Sequence, residues 1–107
     1  MKNNPKCVSK YAIFFTNSFL FANMDFNWAI YNYIVLLSRE YKSNRLFADS
    51  HDINERTFRV IESAWKKEED YQISLPTIYK ICQARNMTIV EFFIEVERNK
   101  NVIPKIK

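Results

Sequence analysis

Four residues near the middle of the chain, Glu55, Arg56, Arg59 and Val60, are of types that read the edges of base pairs. A guanidinium bonds bidentately to guanine, a carboxylate accepts from the amino group of cytosine, and an isopropyl group packs on the methyl of thymine. At about 100° per residue these four lie on the helical face opposite Phe58 and Ile61. One side of a short helix would then rest on a core while the other enters a major groove.

Other chemistries lack their residues. His51 is the single histidine, and Cys7 and Cys82 lie far apart with no paired-cysteine motif, so no zinc site and no disulfide framework is indicated. The chain contains no glycine. Nucleotide-binding loops, nucleophile elbows and tight hairpins all rely on glycine for positive φ or close backbone approach, so each loses weight. No enzyme, cofactor or metal is expected. His51 reads as a core or boundary residue, Cys82 as a small core residue, and both cysteines as reduced thiols in cytoplasm. The formal net charge of +4 suits a polyanionic partner without demanding one.

A base-reading helix needs a second short helix crossing it closely, with a small residue at the crossing and apolar residues beneath. Ala48 is that small residue, with Phe47 just before it, Ile53 in the turn, and Phe58 and Ile61 inside. Ser43 and Asn54 are placed to cap the two helices, because their side-chain oxygens can accept from first-turn amides. Upstream, Trp28, Ile30, Tyr31, Ile34, Leu37 and Tyr41 recur at spacings mostly of three and four, which predicts a helix from Phe26 to Tyr41. Arg39 and Lys42 fall at its C-terminal end, where positive charge complements the dipole.

The stretch Trp65 to Ser74 holds Lys66, Lys67, Glu68, Glu69 and Asp70 without sustained periodicity and reads as a loop. A fourth helix starts at Ser74 or Leu75 with Pro76 in its first turn, faces inward through Leu75, Ile78, Tyr79 and Cys82, and stops at Asn86. A fifth, from Thr88 to about Arg98, buries Ile89, Phe92, Phe93 and Val96, and residues 99–107 form a basic tail. One all-helical domain over residues 26–98 follows.

Residues 1–25 begin polar and basic, then turn apolar from Tyr11, an order that mimics a secretory signal. Thr16, Asn17 and Ser18 interrupt the run, which is also too short to span a membrane. Two readings stay open: an extra aromatic helix packed on the domain, or an over-extended start with Met24 as initiator, which would leave residues 1–23 outside the native protein.

The block Ser43 to Glu62 resembles the Cro and phage-repressor-like (XRE-type) helix-turn-helix family. The family's Ser-Gln-polar-polar-Leu-Ala opening appears as Ser43 to Ala48, its turn aliphatic as Ile53, and its Thr-aliphatic-polar-polar-Ile-Glu recognition helix as Thr57 to Glu62. The family's Ser-Leu-x-Thr-Leu helix appears as Ser74 to Ile78 and its closing aliphatic-x-Glu-Phe-Phe segment as Ile89 to Phe93, so the likeness covers about residues 28–98. It implies a five-helix lambda-repressor-like bundle whose third helix, about 54–63, reads the major groove of double-stranded DNA. Glu55, Arg56, Arg59 and Val60 are then base-contacting. Ser43, Asn44 and Asn54, with Lys66 and Lys67 in the following loop, are phosphate-contacting. Asp52 stands where the family has its turn glycine and is expected to adopt the left-handed conformation; Ala64 replaces the glycine that ends the third helix, and His51 an aliphatic residue.

The expected function is a sequence-specific regulator, a repressor acting as a homodimer on a near-palindromic site. The alternative is a protein-interaction module of the same fold, such as an antitoxin-like partner that grips another protein through the aromatic N-terminal segment. Leu46 and Trp65 read as an exposed apolar pair awaiting a cover, either that segment or a second subunit.

Overall fold

The computed structural model describes residues 16–106, with side chains from Phe26 onward. Residues 1–15, and with them the choice between an extra helix and an over-extended start, lie outside the described residues. Five helices and no strand make up the described part: α1 (Thr16–Ser38), α2 (Asn44–Ser50), α3 (Glu55–Lys67), α4 (Leu75–Ala84) and α5 (Ile89–Arg98). No helix among them is long and apolar enough to cross a membrane.

α1 starts at Thr16 rather than Phe26 and ends at Ser38 rather than Tyr41. The amides of Arg39, Glu40 and Tyr41 reach back three residues, to the carbonyls of Leu36, Leu37 and Ser38, so the last turn tightens and the helix stops. From Ala29 onward α1 is buried on nearly every side, with Ile34 and Val35 fully enclosed. It is the central element, packing on α3 and α5. A helix in that position needs apolar residues around most of its circumference, which is why its one-sided periodicity is weak.

The α2–α3 unit forms as its residues require. Ser43 Oγ accepts from the Leu46 amide at 3.2 Å, and Asn54 Oδ1 from the Arg56 amide at 2.8 Å. Ala48 is fully buried, and its carbonyl accepts from the Ile53 amide at 3.0 Å. Asp52 takes φ 57° in the turn. Phe47 and Phe58 meet with ring centroids 5.1 Å apart beneath the crossing.

Three expectations need correction. Trp65, Lys66 and Lys67 are helical, not loop: α3 runs through Lys67 and ends where Glu68 turns left-handed at φ 56°. Trp65 follows Phe58 by seven residues and Ile61 by four, so its burial carries the helix on past Ala64. Leu75 and Tyr79 face solvent, and Ile81 joins Ile78 and Cys82 in the core, which rotates the inner face of α4. Ile89 and Phe93 are only half-buried on α5, leaving Phe92 and Val96 as its enclosed residues. Thr88 and Glu91 close a reciprocal capping box at the start of that helix.

Residues 99–106 turn back along α1. Pro104 is buried, and Asn32 Nδ2 donates to the carbonyls of Val102 at 2.8 Å and Asn99 at 3.3 Å. On the other side of α1, the Tyr31 hydroxyl donates to the Tyr71 carbonyl and so pins the segment that leaves α3. Its burial pushes the Tyr31 phenol above its ordinary pKa.

Candidate nucleic-acid interface

α3 buries Phe58, Ile61, Ala64 and Trp65 and turns Arg56, Arg59, Val60, Lys66 and Lys67 outward. Lys66 follows Arg59 by seven residues and Lys67 follows Arg56 by eleven. Both intervals close nearly whole turns, so the lysines stand in line with the arginines. At ~1.5 Å per residue the stripe from Arg56 to Lys67 is about 16 Å long. The lysines assigned to a loop thus belong to the outward stripe of α3 itself.

Within the stripe the cations differ. Arg56, Lys66 and Lys67 are exposed and make no ion pair among the described residues. Arg59 Nη2 donates to Glu55 Oε2 at 2.9 Å, one turn back along the helix. Glu55 is therefore engaged in orienting a guanidinium, which limits it as an independent acceptor for cytosine. Val60 is 41% exposed beside them.

The residues around the α2 and α3 starts divide in a similar way. The oxygens of Ser43 and Asn54 are used as caps, leaving the Ser43 hydroxyl proton and the Asn54 amide protons as donors. Asn44 points inward: its Nδ2 donates to Glu62 Oε1 at 3.2 Å, and its Oδ1 is buried without a partner. In this orientation one amide proton of Asn44 is given to Glu62, which turns the side chain away from a phosphate, and the outward groups there are those of Ser43, Arg45 and the α2 backbone.

Glu62 would set a negative charge beside the stripe were it free. Instead it receives Arg39 Nη2 at 3.1 Å, with the Asn44 contact alongside. Asp70 accepts from Asn27 Nδ2 at 2.9 Å, which draws one of the three acids after α3 back towards α1. The outer face of α3 is left with an excess of positive charge.

His51 is a core residue with a defined tautomer. It is 1% exposed, lies 4.3 Å from the Phe47 ring and 5.6 Å from Tyr41 by centroid, and accepts from Arg85 Nη1 at Nε2, 3.1 Å away. Nδ1 then carries the proton and donates to the Phe47 carbonyl at 2.9 Å. Burial holds its pKa below the ordinary histidine value, and the Arg85 charge acts in the same direction. Arg85 is itself held by Glu40 at 3.0 Å, so the turn of the α2–α3 unit is tied to the ends of α1 and α4.

The exposed apolar pair does not form. Leu46 is 51% exposed, but Trp65 is buried against α1, donating its indole N–H to Asn32 Oδ1 at 2.9 Å and accepting from Trp28 Nε1 at its carbonyl. Arg39, Glu62 and Asn32 hold α3 in place, and spacing alone does not mark them. Trp65 does carry a signal, its interval of seven from Phe58, which the adjacent charge run obscures.

No family model, curated protein or solved structure matches the chain.

Proposed function

We propose that this chain is a sequence-specific DNA-binding regulator of the phage-repressor, lambda-repressor-like type, acting as a repressor by occupying an operator. The observation that carries the reading is the outward stripe of α3, where Arg56, Arg59, Val60, Lys66 and Lys67 stand in line above a capped, closely crossed helix pair. The lysines and Arg56 would release counterions from phosphates and supply general affinity. Arg56 and the buttressed Arg59 would supply discrimination at guanines.

A second copy of the chain fits α5. Val90 and Ile94 are 67% and 50% exposed and line a shallow groove of about 540 Å³ with Ile89, Phe93, Glu97 and Arg98. On the helix, Ile94 sits between Val90 and Glu91 one turn before and Glu97 and Arg98 one turn after. Two such helices packed antiparallel about a two-fold axis at Ile94 bring each Arg98 beside Glu91 of the second copy, and Val90 against the stem of Glu97. In that arrangement the charges would complement each other, as an isologous interface requires. Two recognition helices related by a two-fold axis read a near-palindrome with half-sites about 34 Å apart.

The test is selection from a randomised duplex pool at two salt concentrations, beside an Arg56→Ala/Arg59→Ala variant. Enrichment of a near-palindrome, lost in the variant, is the expected result. A folded protein that enriches no sequence would refute the reading.

A further inference from the structure

Two polar side chains, Asn32 within α1 and Arg39 just past its end, each bond both to α3 and to residues 99–106. Asn32 is fully buried; Oδ1 accepts the Trp65 indole proton at 2.9 Å, while Nδ2 donates to the carbonyls of Val102 and Asn99. Seven residues later Arg39 repeats the arrangement. Its Nη2 donates to Glu62 at 3.1 Å and its Nε to the Lys105 carbonyl at 2.6 Å.

The interval of seven places Arg39, in the turn that ends α1, about two turns beyond Asn32 on the same side, and Glu62 and Trp65 are three apart on one face of α3. The two connections therefore run side by side, about 10 Å apart along α1. Each couples its two ends tightly. An amide that gives its oxygen to Trp65 has its nitrogen aimed at the tail, and a guanidinium is a rigid plane whose donors cannot be redirected one at a time. Losing the segment would strand buried donors on Asn32, and the amide would have to move to satisfy them. Glu62 extends one connection further, to Asn44 at the start of α2.

We propose that residues 99–106 are a positioning element for the recognition helix: their docking seats Asn32 and Arg39, which set the placement of Glu62 to Lys67. That half of α3 carries the two lysines of the stripe. Docking and release of the segment then regulate the DNA-facing surface, a consequence that rests on the proposed DNA function, whereas the mechanical coupling does not.

The test uses the full chain and three substitutions. Pro104→Asp puts a charge at a buried site of the segment and lifts it. Asn32→Asp keeps the acceptor for Trp65 but removes the donors to the segment, and Arg39→Lys keeps a charge near Glu62 without the fixed second bond. Amide exchange and the Trp65 indole proton resonance are followed by NMR. In Pro104→Asp the amides of Glu62 to Lys67 should exchange about tenfold faster relative to those of Ile78 to Cys82 in α4, with the indole resonance displaced. Arg39→Lys should reproduce a smaller version of the same pattern, which keeps the coupling testable if Asn32→Asp does not fold.

Opening of the segment with α3 exchange and the indole resonance unmoved overturns the proposal. Equal acceleration in α3 and α4 also overturns it, because the segment would then be a general prop. Duplex binding, measured in parallel, should weaken by about tenfold in Pro104→Asp through loss of the aligned lysine contacts. If the parent chain binds no duplex, the exchange pattern still decides the coupling and only the DNA reading falls.

Discussion

Arg39 and Glu62, 23 residues apart in sequence, meet at 3.1 Å with side chains only 12% and 13% exposed. The pair joins the end of α1 to the middle of α3 and keeps the Glu62 charge from competing with the stripe. Removing one partner leaves the other charge poorly solvated. Glu62→Ala should therefore cost about 1.5–3 kcal/mol in urea unfolding, and an Arg39→Met/Glu62→Leu double variant should lose less than the two single losses added. Strict additivity would show that the pair contributes no coupling.

The two classes of cation on α3 should separate by experiment. Arg56→Ala should weaken binding to the preferred site by about 1–3 kcal/mol and relax discrimination at one base pair. Lys66→Ala/Lys67→Ala should weaken all duplexes alike and flatten the plot of log affinity against log salt by about two units. Anisotropy titrations over a salt series check both, and full discrimination in Arg56→Ala would place that residue outside the groove.

Glu55 acts through Arg59. Glu55→Gln removes the 2.9 Å ion pair, so the arginine becomes free to sample other rotamers. Affinity for random duplex should hold or rise slightly, since one negative charge is gone, while discrimination falls. A loss confined to a cytosine-containing position would instead assign Glu55 a direct contact.

His51 makes stability depend on pH. Its folded pKa is depressed, first by burial and then by Arg85, so the unfolded chain takes up the proton more readily. The stabilisation is present above the unfolded value of about 6.5 and is lost as pH falls through that value towards the folded pKa. The urea midpoint should drop between pH 7 and pH 5, and His51→Gln should be weaker at pH 7 with a shallower pH dependence. Arg85 and Glu40, which face the ring from the ends of α4 and α1, should be left in place for this comparison.

The α5 face gives a prediction about assembly. Ile94→Asp should shift sedimentation from dimer to monomer without changing helix content, because the side chain is half-exposed in the single chain and the proposed second copy would enclose it. A sedimentation profile identical to that of the parent chain would remove α5 as the contact.

Much of the α2–α3 unit was legible in the residues themselves. Ser43 and Asn54 cap where their side-chain chemistry says they should, since a cap is a contact over two or three residues and depends on little else. The outward placement of Arg56, Arg59 and Val60 followed from Phe58 and Ile61, because helical geometry converts sequence spacing into direction.

Local patterns failed where distant packing decided the outcome. The charge run after Trp65 looks like a loop until α1 supplies the surface that buries Trp65 and draws α3 on to Lys67. Leu75 and Tyr79 match an inner face of α4 by spacing, yet neighbouring helices enclose Ile81 instead, a choice set by which side of α4 meets the core. Asn32 and Arg39 are unremarkable as residue types and become central only because the fold brings Trp65, Glu62 and residues 99–106 within reach of the same two side chains. Sequence alone determined the α2 and α3 caps, the turn and the outward face of α3, all set by covalent geometry over a few residues; tertiary structure decided the length of α3, its Glu62 ion pair with Arg39 and its seat, which depend on groups tens of residues away.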